Sequence, residues 1–163
     1  MLNIAPFKAI LPRTDIVEIV SSENFDSQNK NLSMEEMKRN PMSYLHVSKP
    51  HLNFPDEKKN VEKHYPLALQ KLEHFLHDGI MHKEDPRVYI YRQVKDGRIY
   101  QGIIAGVHAD DYESLRIKKH ELTRTDKEDE MVGQMSITKT IGTAVLVTYH
   151  QTDLINQLTE AET

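Results

Sequence analysis

A chain of 163 residues with a formal net charge of −4 and a pI near 6.1 is long enough to bury a core as one domain. It carries no global charge bias toward nucleic acid or an anionic membrane. The absence of cysteine excludes disulfides, thiolate catalysis and Cys-ligated zinc. No apolar run reaches the ~20 residues of a spanning helix, and Met1 to Phe7 lacks the basic and apolar regions of a signal peptide. Both observations predict a cytoplasmic protein with no membrane partner.

In chain order, residues 4–11 read as a first strand interrupted by Pro6, which cannot donate to a ladder. Asp15 to Val20 fits a strand or one helical turn. Ser21 to Lys30 is the most polar segment and predicts a surface loop. Ser33-Met34-Glu35-Glu36 has capping-box spacing, with the serine accepting from the N3 amide and Glu36 reaching back. The helix it starts should end near Asn40, before Pro41. Tyr44 to Val47 then predicts a strand stopped by Pro50.

The strongest helical pattern runs from about Val61 to Asp78. Val61, Tyr65, Ala68, Leu69, Leu72, Phe75 and Leu76 share one face. Gly79 is its natural stop, and Pro66 sets a start or a kink. Val88 to Val94 alternates and leads through Asp96-Gly97 into a second strand, Arg98 to Val107. Asp-Gly between two such runs predicts a tight hairpin. Gly102 and Gly106 mark a bulge or a close backbone approach. Asp110-Asp111-Tyr112-Glu113 starts a helix, and another begins near Asp126, with acids at its positive end. Thr143 to Tyr149 predicts a buried strand and Asp153 to Ala161 a terminal helix. Hairpins among helices indicate an α+β class with a mixed or antiparallel sheet, a central hairpin and packing helices.

The densest chemistry is Lys118-Lys119-His120-Glu121-Leu122-Thr123, followed by Lys127-Glu128-Asp129-Glu130. His120 can serve as a general base or a phosphate contact; a solvated polar turn is the bland alternative. The pair is not a zincin, because no second histidine follows at the required spacing. No Gly-rich phosphate loop and no nucleophile elbow is present. Bound phosphate therefore needs isolated cations, and Lys118, Lys119, Arg124 and Lys127 are the local supply. His74 and His77 are one helical turn apart and suggest a metal pair, against which exposed helix histidines are the simpler account. No metal site is assigned. Asp110-Asp111 fits either a magnesium ligand or a cap. Tyr89, Tyr91 and Arg92 offer a stacking surface for nucleic acid, which the acidic balance disfavours, or simple packing within a sheet.

Several stretches together resemble the domain-of-unknown-function family number 1015. They are I-x-P-F-K-A-I-L-P at the start; Asn40-Pro41-x-Ser43-Tyr44-Leu45-His46-Val47-x-Lys49-Pro50; Val88-Tyr89-Ile90-Tyr91-Arg92; Gly102-Ile103-Ile104-Ala105; Asp111-Tyr112; and the Lys-Lys-His-Glu-x-Thr run with Lys127-Glu128-Asp129. The resemblance covers nearly the whole chain and implies the N-terminal part of longer members. Through that family the chain is distantly similar to the ParB and sulfiredoxin group, which includes free-serine kinases. This implies phosphoryl- or nucleotide-handling chemistry on a small metabolite such as serine, with a magnesium nucleotide. In that reading His120 or Glu121 takes the hydroxyl proton. Lys119 and Arg124 hold phosphate, Thr123 orients it, and Lys127, Asp26 and Asp129 support the site.

Two departures stand out. Where the family carries Pro-Pro-Tyr-Asp, this chain has Ser22-Glu23-Asn24-Phe25-Asp26, keeping the acid but losing the prolines. Where the family continues with an acid, an arginine and then a histidine, this chain reads Glu130-Met131-Val132-Gly133-Gln134-Met135. A ligand-binding or interaction module without catalysis is therefore the rival reading. Oligomeric state is left open.

Overall fold

In the computed structural model, which describes residues 3–22, 30–54, 56–57, 62–118, 124–148 and 157, a run of helices and a run of strands that pair into two-stranded antiparallel sheets make an α+β arrangement. The chain divides into two compact units. One comprises Met1–Ala9, Glu84–Leu122 and Thr143–Thr163; the other comprises Ile10–Lys83 and Thr123–Gly142. Among the described residues, no helix is long and apolar enough to cross a membrane.

Pro6 splits the expected first strand in two. Strand β1 (Ile4–Ala5) lies in the first unit, and β2 (Ile10–Pro12) opens the second. In the second unit a 3-10 turn (Thr14–Ile16) and α1 (Val17–Val20) settle the Asp15–Val20 ambiguity in favour of helix. Helix α2 (Lys30–Arg39) ends where Pro41 requires. The capping box is overturned: α2 already includes Lys30, Asn31 and Leu32, none of which breaks a helix. Ser33 is buried inside it, and Glu36 accepts instead from Ser43 Oγ at 2.6 Å.

The predicted strand at Tyr44–Val47 is also overturned. It forms α3 (Leu45–Ser48), with Val47 and Ser48 amides both donating to Tyr44 O. A four-residue apolar run is too short for periodicity to separate strand from helix. Leu45 and Val47 are both buried here, so their alternation carried no information. A 3-10 turn (Pro50–Asn53) follows, with proline at a position where no N–H is needed.

Helix α4 (Tyr65–His77), entered through a 3-10 turn (Glu62–His64), buries Tyr65, Ala68, Leu72 and Phe75. Their 3-4-3 spacing is one helix face. Pro66 sits in the first turn, so no kink arises. The C-terminus is a Schellman stop: Gly79 has φ +67°, its amide donates to Leu76 O, and Ile80 donates to Phe75 O at 2.9 Å. The chain then enters β3 (Met81–Lys83), which pairs with β2 in the register Leu11↔His82. Val20, Val47, Leu72, Phe75 and Met81 form the main core; Met37, Leu45 and Leu52 form a smaller one.

The first unit holds the predicted hairpin, β4 (Tyr89–Lys95) and β5 (Arg98–Ile104), in the register Val94↔Ile99. Asp96 (φ 51°) and Gly97 (φ 73°) both take positive φ, as a type I′ turn demands. Strand β6 (Gly106–Val107) pairs with β1. Neither Gly102 nor Gly106 is demanded by a tight approach: a Cβ at Gly106 would stand 3.4 Å from Ala5 O, an ordinary contact, and at Gly102 nothing among the described residues lies within 4 Å.

Helix α5 (Ala109–Glu113) is capped by His108 rather than by its acids, the side chain accepting from the Asp110 amide. Asp111 is fully shielded from solvent. It accepts from the Asn3 amide at 2.8 Å and from Arg116 Nη1 at 2.9 Å. The Asn3 bond chiefly, with Arg116, holds its carboxyl below the usual range against the opposing effect of burial. A lowered folded pKa contributes stability above the unfolded value and loses it as pH falls through the folded value. We expect Asp111→Asn to cost stability at neutral pH and to flatten its decline below about pH 4. Thermal midpoints across pH 2–7 would check this, and parallel wild-type and variant curves would refute it.

The predicted buried strand at Thr143–Tyr149 is not formed. Residues 143–148 have no regular structure, and Val145 and Leu146 are 86% and 90% exposed; Tyr149 lies outside the described residues. Strand propensity is realised only against a partner ladder, and among the described residues none pairs with this segment. The expected helix at 153–161 falls outside the described residues except for Gln157, and the expected polar loop falls largely outside them at 23–29.

Candidate functional site

The chain leaves the signature run at Arg124 and enters helix α6 (Thr125–Thr138), as the acid-rich sequence predicts. Of the expected site residues, Lys119, His120, Glu121, Thr123 and Asp26 lie outside the described residues. Arg124, Lys127 and Asp129 are described, and all three sit at the exposed start of α6.

Arg124 is the N-cap, with extended backbone. Its guanidinium forks onto Asp126, Nε to Oδ1 at 3.1 Å and Nη2 to Oδ2 at 2.7 Å. This hydrogen-bonded pairing raises the Arg124 pKa and lowers that of Asp126. Lys127 and Glu128 amides both close on Arg124 O. Lys127 Nζ reaches Glu130 Oε2 at 3.1 Å, and the other Glu130 oxygen lies 3.9 Å from Lys49 Nζ. Arg124 and Lys127, two of the cations expected to meet phosphate, are thus balanced by carboxylates of the same helix. A phosphate arriving here competes with Asp126 for a bidentate fork.

The residues that depart from the family pattern have two fates on α6. Met131 and Val132 are 48% and 57% exposed, so the position after Glu130 faces solvent. Gly133 faces α4, and Gln134 Nε2 donates to Val47 O at 2.9 Å. Tyr65 Oη donates to Glu130 O at 3.1 Å. Burial chiefly, then the Glu130 charge, raises the Tyr65 pKa. His51, half-buried, is lowered by burial, with Glu130 opposing.

His74 and His77 do not face each other as a metal pair. Both Nδ1 atoms turn to Asp78, at 3.4 and 2.8 Å, and the His77 hydrogen bond leads in lowering the Asp78 carboxyl. Among the described residues, no group of three or more His, Cys, Asp or Glu is arranged to hold a metal. Tyr89 is spent on packing, its ring centroid 5.2 Å from that of Phe7, whereas Tyr91 is 44% exposed. Asp111, weighed in the sequence as a magnesium ligand or a cap, is instead a buried acceptor for the chain start.

A family model described as "Protein of unknown function (DUF1015)" matches residues 4–163. No curated protein and no solved structure matches the chain.

Proposed function

Because this chain belongs to the DUF1015 family of proteins of unknown function, we propose its activity from the signature run: a phosphoryl- or nucleotide-handling enzyme acting on a small metabolite such as serine. The observation that carries this reading is the concentration of Lys118, Lys119, His120, Glu121, Thr123, Arg124 and Lys127 in one stretch that runs into the positive end of α6. A helix start with nearby cations favours phosphate. His120 or Glu121 accepts the hydroxyl proton as that oxygen bonds the transferred phosphorus. The bond to the nucleoside diphosphate breaks, and Lys119 and Arg124 stabilise the charge that develops. Thr123 orients the phosphoryl group, with Lys127, Asp26 and Asp129 in support. Magnesium nucleotide is the donor substrate, and a cytoplasmic location fits that supply.

The rival is a non-catalytic ligand-binding or interaction module. It is favoured by the Arg124–Asp126 fork and the Lys127–Glu130 pair, which occupy two of the cations.

Thermal denaturation with millimolar ATP, ADP, serine or phosphoserine and magnesium separates the readings. Ligand at about 100 times its Kd stabilises the native state by about 2.7 kcal/mol. No shift with any of the four would sink the enzyme. In a phosphoryl-transfer assay, His120→Ala or Glu121→Ala is expected to cost about 10²–10⁴-fold with the thermal midpoint retained. Binding that survives in both variants, without turnover in the wild type, would establish the rival.

A further inference from the structure

The second unit carries a cleft of about 470 Å³ where the turn after α3 meets α4, and it shares no residue with the signature run. Its size is that of a small-ligand pocket. Phe54 and Leu67 supply its apolar wall, and each is more than a third exposed. Phe54 is backed by His64, the rings stacked at 4.6 Å and 7°, and His64 is 2% exposed. The wall is therefore held from behind.

The polar lining is His46, Asn53, Gln70, Lys71 and His74, and among the described residues it contains no carboxylate. In a chain of net charge −4 this is an unusual local balance. The inner atoms of several of these groups are already engaged. His46 Nε2 lies 3.2 Å from both Met37 O and Asn40 O, so it carries the proton, and Nδ1 of the neutral ring is an acceptor. Asn53 Nδ2 donates to Pro50 O at 3.1 Å, which leaves its second N–H. His74 Nδ1 faces Asp78 at 3.4 Å, leaving Nε2. Lys71 lays its stem toward Phe75, with Nζ 4.9 Å from the ring centroid.

We propose that this cleft is a binding site for a small organic anion, a carboxylate or phosphate ester whose apolar body covers Phe54 and Leu67 while its anionic head meets Lys71 and the side-chain N–H groups of Asn53 and Gln70. One lysine and two side-chain amides, with no acid among the described lining residues, select for negative charge. The exposed aromatic and leucine require an apolar portion that inorganic phosphate lacks.

The test is an NMR titration of the full chain with phenyl phosphate and benzoate, which represent the two sources of anion. Benzamide serves as the neutral analogue and inorganic phosphate as the head alone. At least one organic anion is expected to saturate and to perturb the His46, Lys71 and His74 signals. Benzamide and inorganic phosphate should bind at least about 10-fold more weakly. Lys71→Met keeps the stem on Phe75 and should lower affinity about 10-fold, whereas Lys71→Arg should retain it. Gln70→Leu is the second probe should Lys71→Met unfold, and it too should lower affinity for the anion. Equal binding of benzamide, indifference to Lys71→Met, or no saturation below roughly 10 mM would each overturn the proposal. Binding abolished by Arg124→Gln but not by Lys71→Met would assign the anion to the signature run, removing this inference and leaving the proposed function standing.

Discussion

Phe75→Ala is expected to lower the unfolding free energy by about 3–5 kcal/mol, the range for a large aromatic removed from a packed core. Phe75 has no exposed surface. It stands at the centre of the cluster formed with Val20, Val47, Leu72 and Met81, with Ile10, Ile16, Tyr44, Leu76 and Ile80 packed around it. The ring therefore joins α1, α3, α4 and β3. Truncation leaves a cavity that these short elements cannot close without breaking the β2–β3 ladder or the Schellman stop. Since a domain is typically stable by only 5–15 kcal/mol, the variant should unfold at much lower denaturant. Phe54→Ala, at a ring 37% exposed, should cost roughly half as much or less. Urea midpoints for the two variants decide the matter; equal losses would mean that the core is not centred on Phe75.

Gly133→Val is expected to destabilise by about 1–3 kcal/mol, the range for overpacking a close contact, even though valine is the better helix former by a few tenths. A Cβ at position 133 would lie 2.7 Å from Tyr65 Cε2 and 3.5 Å from its Oη. Tyr65 cannot swing aside cheaply, because it is 3% exposed and its hydroxyl is bonded to Glu130 O. The α4–α6 contact must open instead, and with it the Gln134–Val47 bond. Adding Tyr65→Leu should recover part of the loss, so the double variant should be more stable than the sum of the singles predicts. Strict additivity, or a stabilised Gly133→Val, would refute the close-packing account. Glycine here is thus explained by packing, which bears on the departure from the family pattern: part of the Glu130–Met135 stretch serves the α4–α6 interface.

Much of the fold was legible because it rests on contacts a few residues apart. The Asp96-Gly97 turn, the buried face of α4, the Gly79 stop and the start of α6 each depend on local φ or on a period of 3.6. The candidate site was legible as chemistry, since the Lys-Lys-His-Glu-x-Thr run and the family resemblance need only residue types and spacing. Its charge balance was not. That Arg124 forks onto Asp126 and Lys127 reaches Glu130 depends on rotamers along the first turns of α6.

Other features needed partners far along the chain. Tyr44–Val47 became one turn of α3 although only Leu45 and Val47 in it are fully buried, because over four residues a buried i, i+2 pair does not separate a strand from a helical turn. Ser33 lies in the helix interior because α2 begins three residues earlier at Lys30, and Glu36 pairs with the distant Ser43. Residues 143–148 kept strand composition without a strand, since no ladder among the described residues receives them. Asp111 gained its role from an amide 108 residues away. The carboxylate-free cleft brings the 46–54 region onto one face of α4. Composition, turns and helix faces could therefore be derived along the chain, because their energetics are local. Which polar groups end up buried, paired or open to a ligand could not, because long-range packing sets the solvent and the partners that each side chain meets.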